Sequence, residues 1–421
     1  MTDSASARQL ASKHLLGNYG ERELVLVRGE GARVWDADGR EYTDFLAGIS
    51  VNNLGHCHPA VTEAIVRQAA TLVHCSNLYL IPQQAELAEL LCGVSFAERC
   101  FFANSGAEVN EAAIKLARLW SKTRHGAGRH VIITMRNSFH GRTMATITAT
   151  GQEKVQKGFE PLLEGFRYAD FNDLPSVVAR MDETVCAVMV EPVQGEGGVT
   201  AADPDFLRGL RSECTARGIL LVFDEVQCGM ARTGRMFAHE HYGIAPDIMT
   251  LAKALGNGMP IGAMLTTDEI AQVMGPGTHG TTFGGNPMVT AAALAVLRTM
   301  VEQDIPARAA YLGEYFRKRL AEELGGYPNV VDFRGLGLMV GIGLTHPGAQ
   351  VVKECVRRGL LINCTMGNVL RMLPPLTVTE TDCDRVTAIL AEVLAMEEIR
   401  GSAESSAAAA AGSSSNPGGK Q

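Results

Sequence analysis

The chain has 421 residues, a length that favours two or three domains built around a large buried core. Hydrophobic residues make up 46% of the chain and charged residues 20%, as is usual for a globular enzyme. The formal net charge of −8 and the lack of a dense lysine or arginine cluster argue against a nucleic-acid-binding surface.

The N-terminal sequence and the cysteines favour a cytoplasmic protein. The first residues contain no basic segment followed by an apolar one, and no window approaches the length of a membrane span. Ten cysteines are scattered without a CxxC pair, which is typical of reduced core thiols rather than a disulfide framework. We therefore expect a soluble, cytoplasmic protein without a membrane partner.

The first predicted element is a β-hairpin over residues 31–45, where apolar and polar side chains alternate on both sides of Asp38-Gly39. Two histidines and a cysteine follow at residues 56–58 and could be mistaken for a metal site. Pro59, however, begins a predicted helix with one apolar face. We therefore predict that the histidines cap and pack, and we predict no metal site.

A phosphate-binding turn is predicted next. Residues 99–103 have the pattern of a buried strand and lead directly into the sequence NSGAE at 104–108, after which an amphipathic helix begins. Free backbone N–H groups and the helix dipole at such a helix start both attract an anion. A simple helix cap is the alternative explanation for each of these residues taken alone.

Further strands are predicted at residues 131–134, 187–190 and 219–223, separated by helix-length segments. Such alternation predicts a mostly parallel sheet with helices on both faces. Sheets of this kind bind ligands at the carboxyl ends of their strands, where the motif residues fall.

Two opposite charges stand at predicted strand ends. An apolar run ends in Asp224, and a second apolar run further along the chain ends in Lys253. Pyridoxal phosphate requires an amine for its aldehyde and a carboxylate that keeps its pyridine nitrogen protonated. Either residue alone could be an ordinary strand-end charge. Together they predict a pyridoxal-phosphate site, with Lys253 as the amine and Asp224 as the carboxylate.

The pattern changes from about residue 300, where short strands at 338–342, 360–363 and 369–373 precede a helix that Thr379 can cap. We predict four regions: an N-terminal segment (1–50) that contributes to a small domain, a large cofactor-binding domain (51–300), a small α+β domain (301–398) and a disordered tail (399–421). No P-loop and no GxGxxG follows a strand, so a nicotinamide-dependent dehydrogenase is the weaker alternative.

Over about residues 19–377 the chain resembles the class III pyridoxal-phosphate aminotransferases, and most closely their acetylornithine branch. The resemblance rests on the order and spacing of GHCHP at 55–59, NSGAE at 104–108, SFHGRT at 138–143, EPVQGEGG at 191–198, DEVQ at 224–227, AKALG around Lys253, GTHGTTFGGNP at 277–287 and LRMLPPLT at 370–377. It implies an α/β fold, namely fold type I of the pyridoxal-phosphate-dependent transferases. This fold has a large domain with a mostly parallel seven-stranded sheet and a smaller α+β domain.

The resemblance also implies a set of cofactor-binding residues. Lys253 would bind the aldehyde and carry a proton between the substrate carbon and the cofactor, and Asp224 would pair with the pyridinium. Thr282 would complete the phosphate site of the neighbouring subunit, which implies a homodimer. The remaining cofactor-binding residues would be Ser105, Gly106 and Ala107 at the phosphate and Phe139, His140, Val226 and Gln227 around the ring.

Arginines are the expected binding groups for the substrates. Arg142 is the first candidate, because a guanidinium matches a carboxylate in bidentate fashion. The resemblance implies that Arg371 pairs with Glu196 while the amine donor is bound and is then released to bind 2-oxoglutarate. Thr281 and Tyr19 would lie near the substrate. Structural salt bridges are the alternative for both arginines.

Ile49 occupies a position where ornithine δ-aminotransferases carry a tyrosine, and an apolar residue there is expected in the acetylornithine and 4-aminobutyrate branches. The resemblance thus implies transfer of the terminal amino group of N2-acetyl-L-ornithine to 2-oxoglutarate, giving N-acetyl-L-glutamate 5-semialdehyde and L-glutamate, in arginine biosynthesis. Succinylornithine, N-succinyl-diaminopimelate, ornithine and 4-aminobutyrate are alternative donors. A catalytically silent pyridoxal-phosphate-binding protein is the alternative outside the class.

Overall fold

The computed structural model describes residues 3–20 and 22–399. The predicted tail therefore lies outside the described residues, apart from Ile399, which is buried. Within the described ranges, no helix combines the length and the apolar character that crossing a bilayer requires.

Strands and helices alternate along most of the described chain. The strands are β1 (Leu26–Glu30), β2 (Arg33–Asp36), β3 (Glu41–Asp44), β4 (Arg99–Ala103), β5 (Val131–Met135), β6 (Phe166–Ala169), β7 (Val185–Val190), β8 (Val193–Gln194), β9 (Thr200–Ala201), β10 (Leu220–Asp224), β11 (Ile248–Leu251), β12 (Gly262–Thr266), β13 (Val330–Leu336), β14 (Met339–Leu344), β15 (Leu360–Leu361), β16 (Asn363–Thr365) and β17 (Val369–Met372). The helices are α1 (Ser4–His14), α2 (Ala47–Ser50), α3 (Pro59–Ala69), α4 (Pro82–Gly93), α5 (Gly106–His125), α6 (Met144–Ala149), α7 (Glu153–Gln156), α8 (Leu174–Val178), α9 (Pro204–Arg217), α10 (Asp268–Ala271), α11 (Pro287–Glu302), α12 (Ile305–Leu324), α13 (Ala349–Arg357) and α14 (Glu380–Ala395). Short 3-10 helices cover Gly17–Tyr19, Ala238–Tyr242 and Lys253–Leu255.

A seven-stranded sheet forms the centre of the molecule, with the strand order β4-β12-β11-β10-β7-β5-β6. Only β12 runs against the others, because it pairs antiparallel with both β11 and β4 while the remaining pairs are parallel. Every residue of β5, β7 and β10 is buried, as a sheet covered on both faces requires. The predicted α/β class with a mostly parallel sheet is confirmed. The sequence patterns did not locate β6 and β12.

Helices cover the two faces of this sheet. The apolar side of α5 packs with Val222 and Ile248 in one core cluster, whereas α9 packs with Leu221 and Phe223 in another. Successive residues of a strand point to opposite faces, so β10 contributes to both cores at once. The carboxyl end of β10 is thereby fixed from above and below.

The N-terminal hairpin joins the C-terminal part of the chain. β2 and β3 pair antiparallel, which confirms the predicted hairpin. β3 then pairs in parallel with β15, and the four strands β1-β2-β3-β15 form one sheet. A second four-stranded sheet, β13-β14-β17-β16, is antiparallel. The pairing of β3 with β15 agrees with a contribution of residues 1–50 to the small domain, whose boundaries remain a prediction.

The buried side chain of Arg232 ties three distant segments together. Its guanidinium donates hydrogen bonds to Ser50 Oγ (2.9 Å) and Asn53 Oδ1 near α2, to Leu338 O (3.0 Å) between β13 and β14, and to Pro374 O (2.6 Å) after β17. The residue has no exposed surface, and burial lowers its pKa to about 9. Neutral oxygen atoms rather than a carboxylate stabilise this cation.

We expect Arg232→Ala to destabilise the fold, because it leaves several buried oxygen atoms without their donor. The free energy of unfolding should fall by about 3 kcal/mol or more. Thermal unfolding of the two proteins measures the difference. Arg208→Ala is the matched control, since among the described residues the exposed Arg208 forms an ion pair only with the exposed Asp205 and should change stability by less than about 0.5 kcal/mol. Equal unfolding midpoints for the two variants would contradict the bridging role of Arg232.

Candidate active site

A cavity of about 410 Å³ lies at the carboxyl ends of the central strands. It is lined by eleven of the residues predicted from the sequence, which come from separate segments: Ser105, Gly106, Ala107, Phe139, His140, Arg142, Glu196, Asp224, Val226, Gln227 and Lys253. A second cavity of about 450 Å³ lies at the outer edge of β4 and contains none of them. Most of the predicted site residues therefore meet in the first cavity.

Asp224 is the buried carboxylate of this cavity. It is the last residue of β10 and is 3% exposed. Its Oδ2 accepts a hydrogen bond from Asn110 Nδ2 (2.7 Å) and lies 2.8 Å from His140 Nδ1, while its Oδ1 accepts the Val226 N–H (3.0 Å). Asn110 is itself fixed, because Thr250 donates to its Oδ1 at 2.7 Å. The carboxylate thus has one defined orientation and is suited to hold a cationic ring nitrogen.

Lys253 follows β11 and begins a short 3-10 helix with a left-handed backbone, φ 42°. Burial lowers the pKa of its amine; Glu196 opposes this shift and Arg371 adds to it. A lowered pKa increases the fraction of neutral amine near pH 7, and the neutral amine is the form that attacks an aldehyde. Lys253 is the candidate nucleophile of the cavity.

The start of α5 forms the predicted anion site. Ser105 is its N-cap and accepts the Glu108 N–H at 3.3 Å. Within the described residues no protein acceptor is found for the N–H groups of Gly106 and Ala107, the first two residues of the helix. A Cβ on Gly106 would lie 2.8 Å from Val226 Cγ1, so only glycine allows this close approach. Two free donors at the positive end of a 20-residue helix suit a phosphate.

Glu196 and Arg371 form an ion pair at the side of the cavity, with Oε1 and Nη1 2.5 Å apart. The side chain of Arg371 is 1% exposed and also contacts Gln227 Oε1 (3.2 Å) and Asn363 Oδ1 (3.1 Å). Although burial acts against it, the Arg371 guanidinium lowers the pKa of Glu196. The lowered pKa favours the ionised form of Glu196, and the arginine is occupied by it in this arrangement.

Arg142 is exposed and its guanidinium lies 5.6 Å from the centre of the Phe139 ring. Four predicted residues are not part of the cavity lining of their own chain, namely Arg371 and three others. Tyr19 is 77% exposed, Thr282 is exposed, and Thr281 accepts a hydrogen bond from Asn104 Nδ2 at 3.2 Å. Their assigned roles remain predictions.

Ile49 lies in a left-handed turn beside the cavity. The four residues of α2 have φ angles of 48°, 64°, 65° and 60°, a conformation that costs energy for a β-branched side chain. Ser50 of this turn donates to Gln227 O at 3.1 Å, and the following residue, Val51, lines the cavity. The turn therefore forms one wall, and Ile49 packs against a core cluster that contains Val193 and Cys228.

Sequence reasoning missed several residues of the cavity. Glu191 follows β7 directly and is 5% exposed, and the strand-end rule that found Asp224 also applies to it. Asn110 lies inside α5 and carries no sequence signal of its own. The other lining residues that were not predicted are Val51, Asn104, Gly141, Ala252, Gly258, Met259, Pro260 and Ile261.

The histidines near α3 have structural contacts. His56 Nε2 lies 2.7 Å from Asp44 Oδ2, so this ring packs against a carboxylate. His58 stands at the N-cap of α3, but its side chain makes no capping hydrogen bond, which corrects the predicted capping role. Across the described ranges, no group of three or more His, Cys, Asp or Glu side chains has the arrangement of a metal site.

Comparison with known proteins places these residues in a family. The sequence matches the family model described as aminotransferase class-III over residues 17–394. An acetylornithine aminotransferase of Caldanaerobacter subterraneus is 49% identical over 389 residues, covering 92% of this chain and 98% of that protein. An acetylornithine aminotransferase of Methanocaldococcus jannaschii is 50% identical over 384 residues, which cover 91% of this chain and 96% of that protein. Among solved structures, an ornithine aminotransferase from Toxoplasma gondii matches with a TM-score of 0.91 and 34% identity over 95% of this chain and 97% of that chain. That structure is reported with partial occupancy of PLP at its active site.

The lowered pKa of Lys253 predicts unusual reactivity toward a small acylating reagent. Because more of its amine is neutral, we expect acetic anhydride at pH 7.5 to modify Lys253 of the ligand-free protein before it modifies Lys318, whose side chain is 73% exposed. Peptide mass spectrometry over a time course gives both rates. Rates measured over a range of pH separate reactivity from access, and a pH midpoint for Lys253 no lower than that for Lys318 would contradict the lowered pKa.

Proposed function

The chain belongs to the class-III aminotransferases, and we propose that it transfers the terminal amino group of N2-acetyl-L-ornithine to 2-oxoglutarate with pyridoxal 5′-phosphate as cofactor. The products are N-acetyl-L-glutamate 5-semialdehyde and L-glutamate, and the reaction belongs to arginine biosynthesis. The observation that carries the proposal is one cavity that holds Lys253, Asp224 and the start of α5 together. The acetylornithine aminotransferases that share about half of its residues support the choice of donor.

The donor set of the cavity fits pyridoxal phosphate. Asp224 would hold the ring nitrogen, and the N–H groups of Gly106 and Ala107 with the Ser105 hydroxyl would hold the phosphate. Phe139 and Val226 offer flat and branched apolar surfaces for the two faces of a ring. When bound, the cofactor supplies an electron-withdrawing ring that stabilises negative charge on the carbon bearing the transferred amino group.

The residues of the chain supply position and proton transfer. Asp224, oriented by Asn110, keeps a negative charge where a ring nitrogen must stay protonated. Lys253 Nζ, with its lowered pKa, would carry a proton between the substrate carbon and the cofactor. Gln227 lies between Arg371 and Glu196 and orients both, and we propose that it also reaches the ring hydroxyl.

Carboxylate recognition is divided between two arginines in this proposal. Arg142 forms no ion pair within the described residues, so its guanidinium is free for a substrate carboxylate. Arg371 is paired with Glu196 in the free chain, and this pair would persist while the amine donor is bound. Release of Arg371 from Glu196 then provides a buried cation for 2-oxoglutarate, which carries two carboxylates where N2-acetyl-L-ornithine carries one. One cavity can thus accept two substrates of different charge.

We further propose a cytoplasmic homodimer in which Thr282 completes the phosphate site of the neighbouring subunit. Large apolar side chains close to Thr282 support a covered surface: Leu78, Tyr79, Leu80 and Phe283 are 85%, 68%, 100% and 60% exposed in the single chain. The segment after α3 and the Thr282 loop are held together by a hydrogen bond from Asn77 Nδ2 to Gly284 O (3.0 Å). Singly exposed apolar residues are common on protein surfaces, whereas a cluster of several such side chains is typical of an interface.

The absorption spectrum of the purified protein tests the proposed function. We expect a yellow protein whose visible band is lost with N2-acetylornithine and returns with 2-oxoglutarate. Lys253→Ala should lower kcat by at least about 10²-fold, because it removes the proton carrier. Lys318→Ala, which changes an exposed lysine, is the control and should match the wild type. A yellow protein that does not respond to N2-acetylornithine would contradict the donor, and a protein that cannot bind pyridoxal phosphate would contradict the whole proposal.

The Glu196–Arg371 pair predicts a selective effect on one substrate. Arg371→Lys keeps the positive charge but loses the bidentate geometry, so we expect KM for 2-oxoglutarate to rise about tenfold or more. KM for N2-acetylornithine should change by less than about threefold, since Arg371 is paired with Glu196 at that stage. Steady-state kinetics with each substrate varied in turn measures both values. An equal rise in the two KM values would indicate a purely structural salt bridge.

A further inference from the structure

Two acidic residues stand side by side at the ends of neighbouring strands. β7 and β10 are parallel, and Val190 is paired with Phe223. The next residues, Glu191 and Asp224, therefore occupy matching positions on strands about 4.8 Å apart and direct their side chains to the same face. Both line the cavity, and they are only 5% and 3% exposed.

The hydrogen bonds to these two carboxyl groups are unequal. Asp224 receives the amide of Asn110 and the Val226 N–H, and His140 lies at hydrogen-bond distance. In the described part of the chain, Glu191 receives one donor, the Phe139 N–H, at 3.1 Å from its Oε2. Two neighbouring buried carboxyl groups do not both ionise, and the negative charge stays on the one with more donors.

We propose that Glu191 is a neutral carboxylic acid in the working enzyme and a positioning residue that holds Phe139 while leaving the negative charge to Asp224. The proposal rests on the proposed function of the same cavity. One oxygen of the neutral acid accepts the Phe139 N–H, and its hydroxyl group remains a donor. Phe139 forms a wall of the cavity, and the Arg142 guanidinium lies over its ring. Glu191 thereby fixes both the wall and the residue proposed to bind the substrate carboxylate.

The charged groups around Glu191 agree with this protonation state. Burial raises its pKa well above the ordinary value, and Asp224 at the end of β10 and Glu196 after β8 act in the same direction. Lys253 after β11 acts in the opposite direction, as does the single backbone donor. His140, which follows β5, is turned toward Asp224. The carboxyl pKa is therefore raised, which favours the neutral form.

A neutral Glu191 also helps to keep the pKa of the Lys253 amine low. An ionised Glu191 would add a third carboxylate beside Asp224 and Glu196, raise the pKa of the lysine amine and reduce the neutral fraction needed for attack and proton transfer. It would also compete with Asp224 for a cationic ring nitrogen. The two acids have different roles because their surroundings differ, although the sequence gives each the same strand-end position.

Glu191→Gln tests the proposal on the holoenzyme, because the amide imitates a neutral acid: one acceptor and one donor group without charge. We expect kcat and both KM values within about threefold of the wild type, and a pH midpoint of the bound cofactor's absorption band shifted by less than about 0.3 unit. Glu191→Ala leaves the Phe139 N–H unpaired and should lower kcat about tenfold or more.

Infrared spectroscopy gives a readout that does not depend on activity. Near pH 7 the wild-type holoenzyme should show a protonated-carboxyl band that Glu191→Gln removes. Glu225, whose buried carboxyl has its pKa raised to about 8 and which binds the N–H groups of Ala238 and His239, keeps its own band as an internal reference.

Several outcomes would overturn the proposal. A Glu191→Gln enzyme that retains cofactor but loses activity about 10²-fold would show that the carboxylate is the active form. A midpoint lowered by about one pH unit would show that a negative charge had been removed. An unchanged infrared spectrum, or a Glu191→Gln protein that does not fold, would also contradict a neutral acid. If the wild type does not bind pyridoxal phosphate, the proposed function itself is wrong.

Discussion

The buried charge of Asp224 is the constraint on which the site depends. A carboxylate that is 3% exposed is costly to bury unless its lone pairs are matched by donors, and these donors come from three different segments. Asn110 belongs to α5, His140 to the loop after β5, and Val226 to the turn after β10. The strands must therefore lie in their observed order before the charge is satisfied, and the same order brings Lys253 and the start of α5 to one cavity.

Buried charges have different partners in the cavity and in the surrounding fold. In the cavity, opposite charges are paired or held close, as in Glu196 with Arg371, so that a change of partner can accompany a change of substrate. In the scaffold, Arg232 is surrounded by neutral oxygen atoms that have no alternative partner. A pair of ions can open when a third charge arrives, whereas a cation held by backbone carbonyls has nothing to exchange. The fixed arginine thus holds Ser50 of the turn that forms one wall of the cavity.

The sequence predicted what depends on local pattern and missed what depends on packing. Apolar runs that end in a charge identified Asp224 and Lys253, and the short turn before a helix identified Ser105. The family resemblance added the pairing of Arg371 with Glu196, which no local rule gives. Asn110 could not be found, because its direction depends on which face of α5 meets the sheet. The strand order, with β12 between β4 and β11, is likewise set by contacts far apart in the chain and leaves no periodic signal.

The pairing of β3 with β15 has a consequence for the order in which a ribosome releases this chain. Thr43 pairs with Leu360, more than 300 residues later, whereas all strands of the central sheet are made before residue 267. At typical rates of synthesis the N-terminal hairpin waits on the order of 15 to 60 s for its last partner. During that interval β3 has an unpaired edge, which is a template for pairing with another nascent chain. The time needed to translate the residues between β3 and β15 therefore sets how long the edge at residues 41–44 stays unpaired.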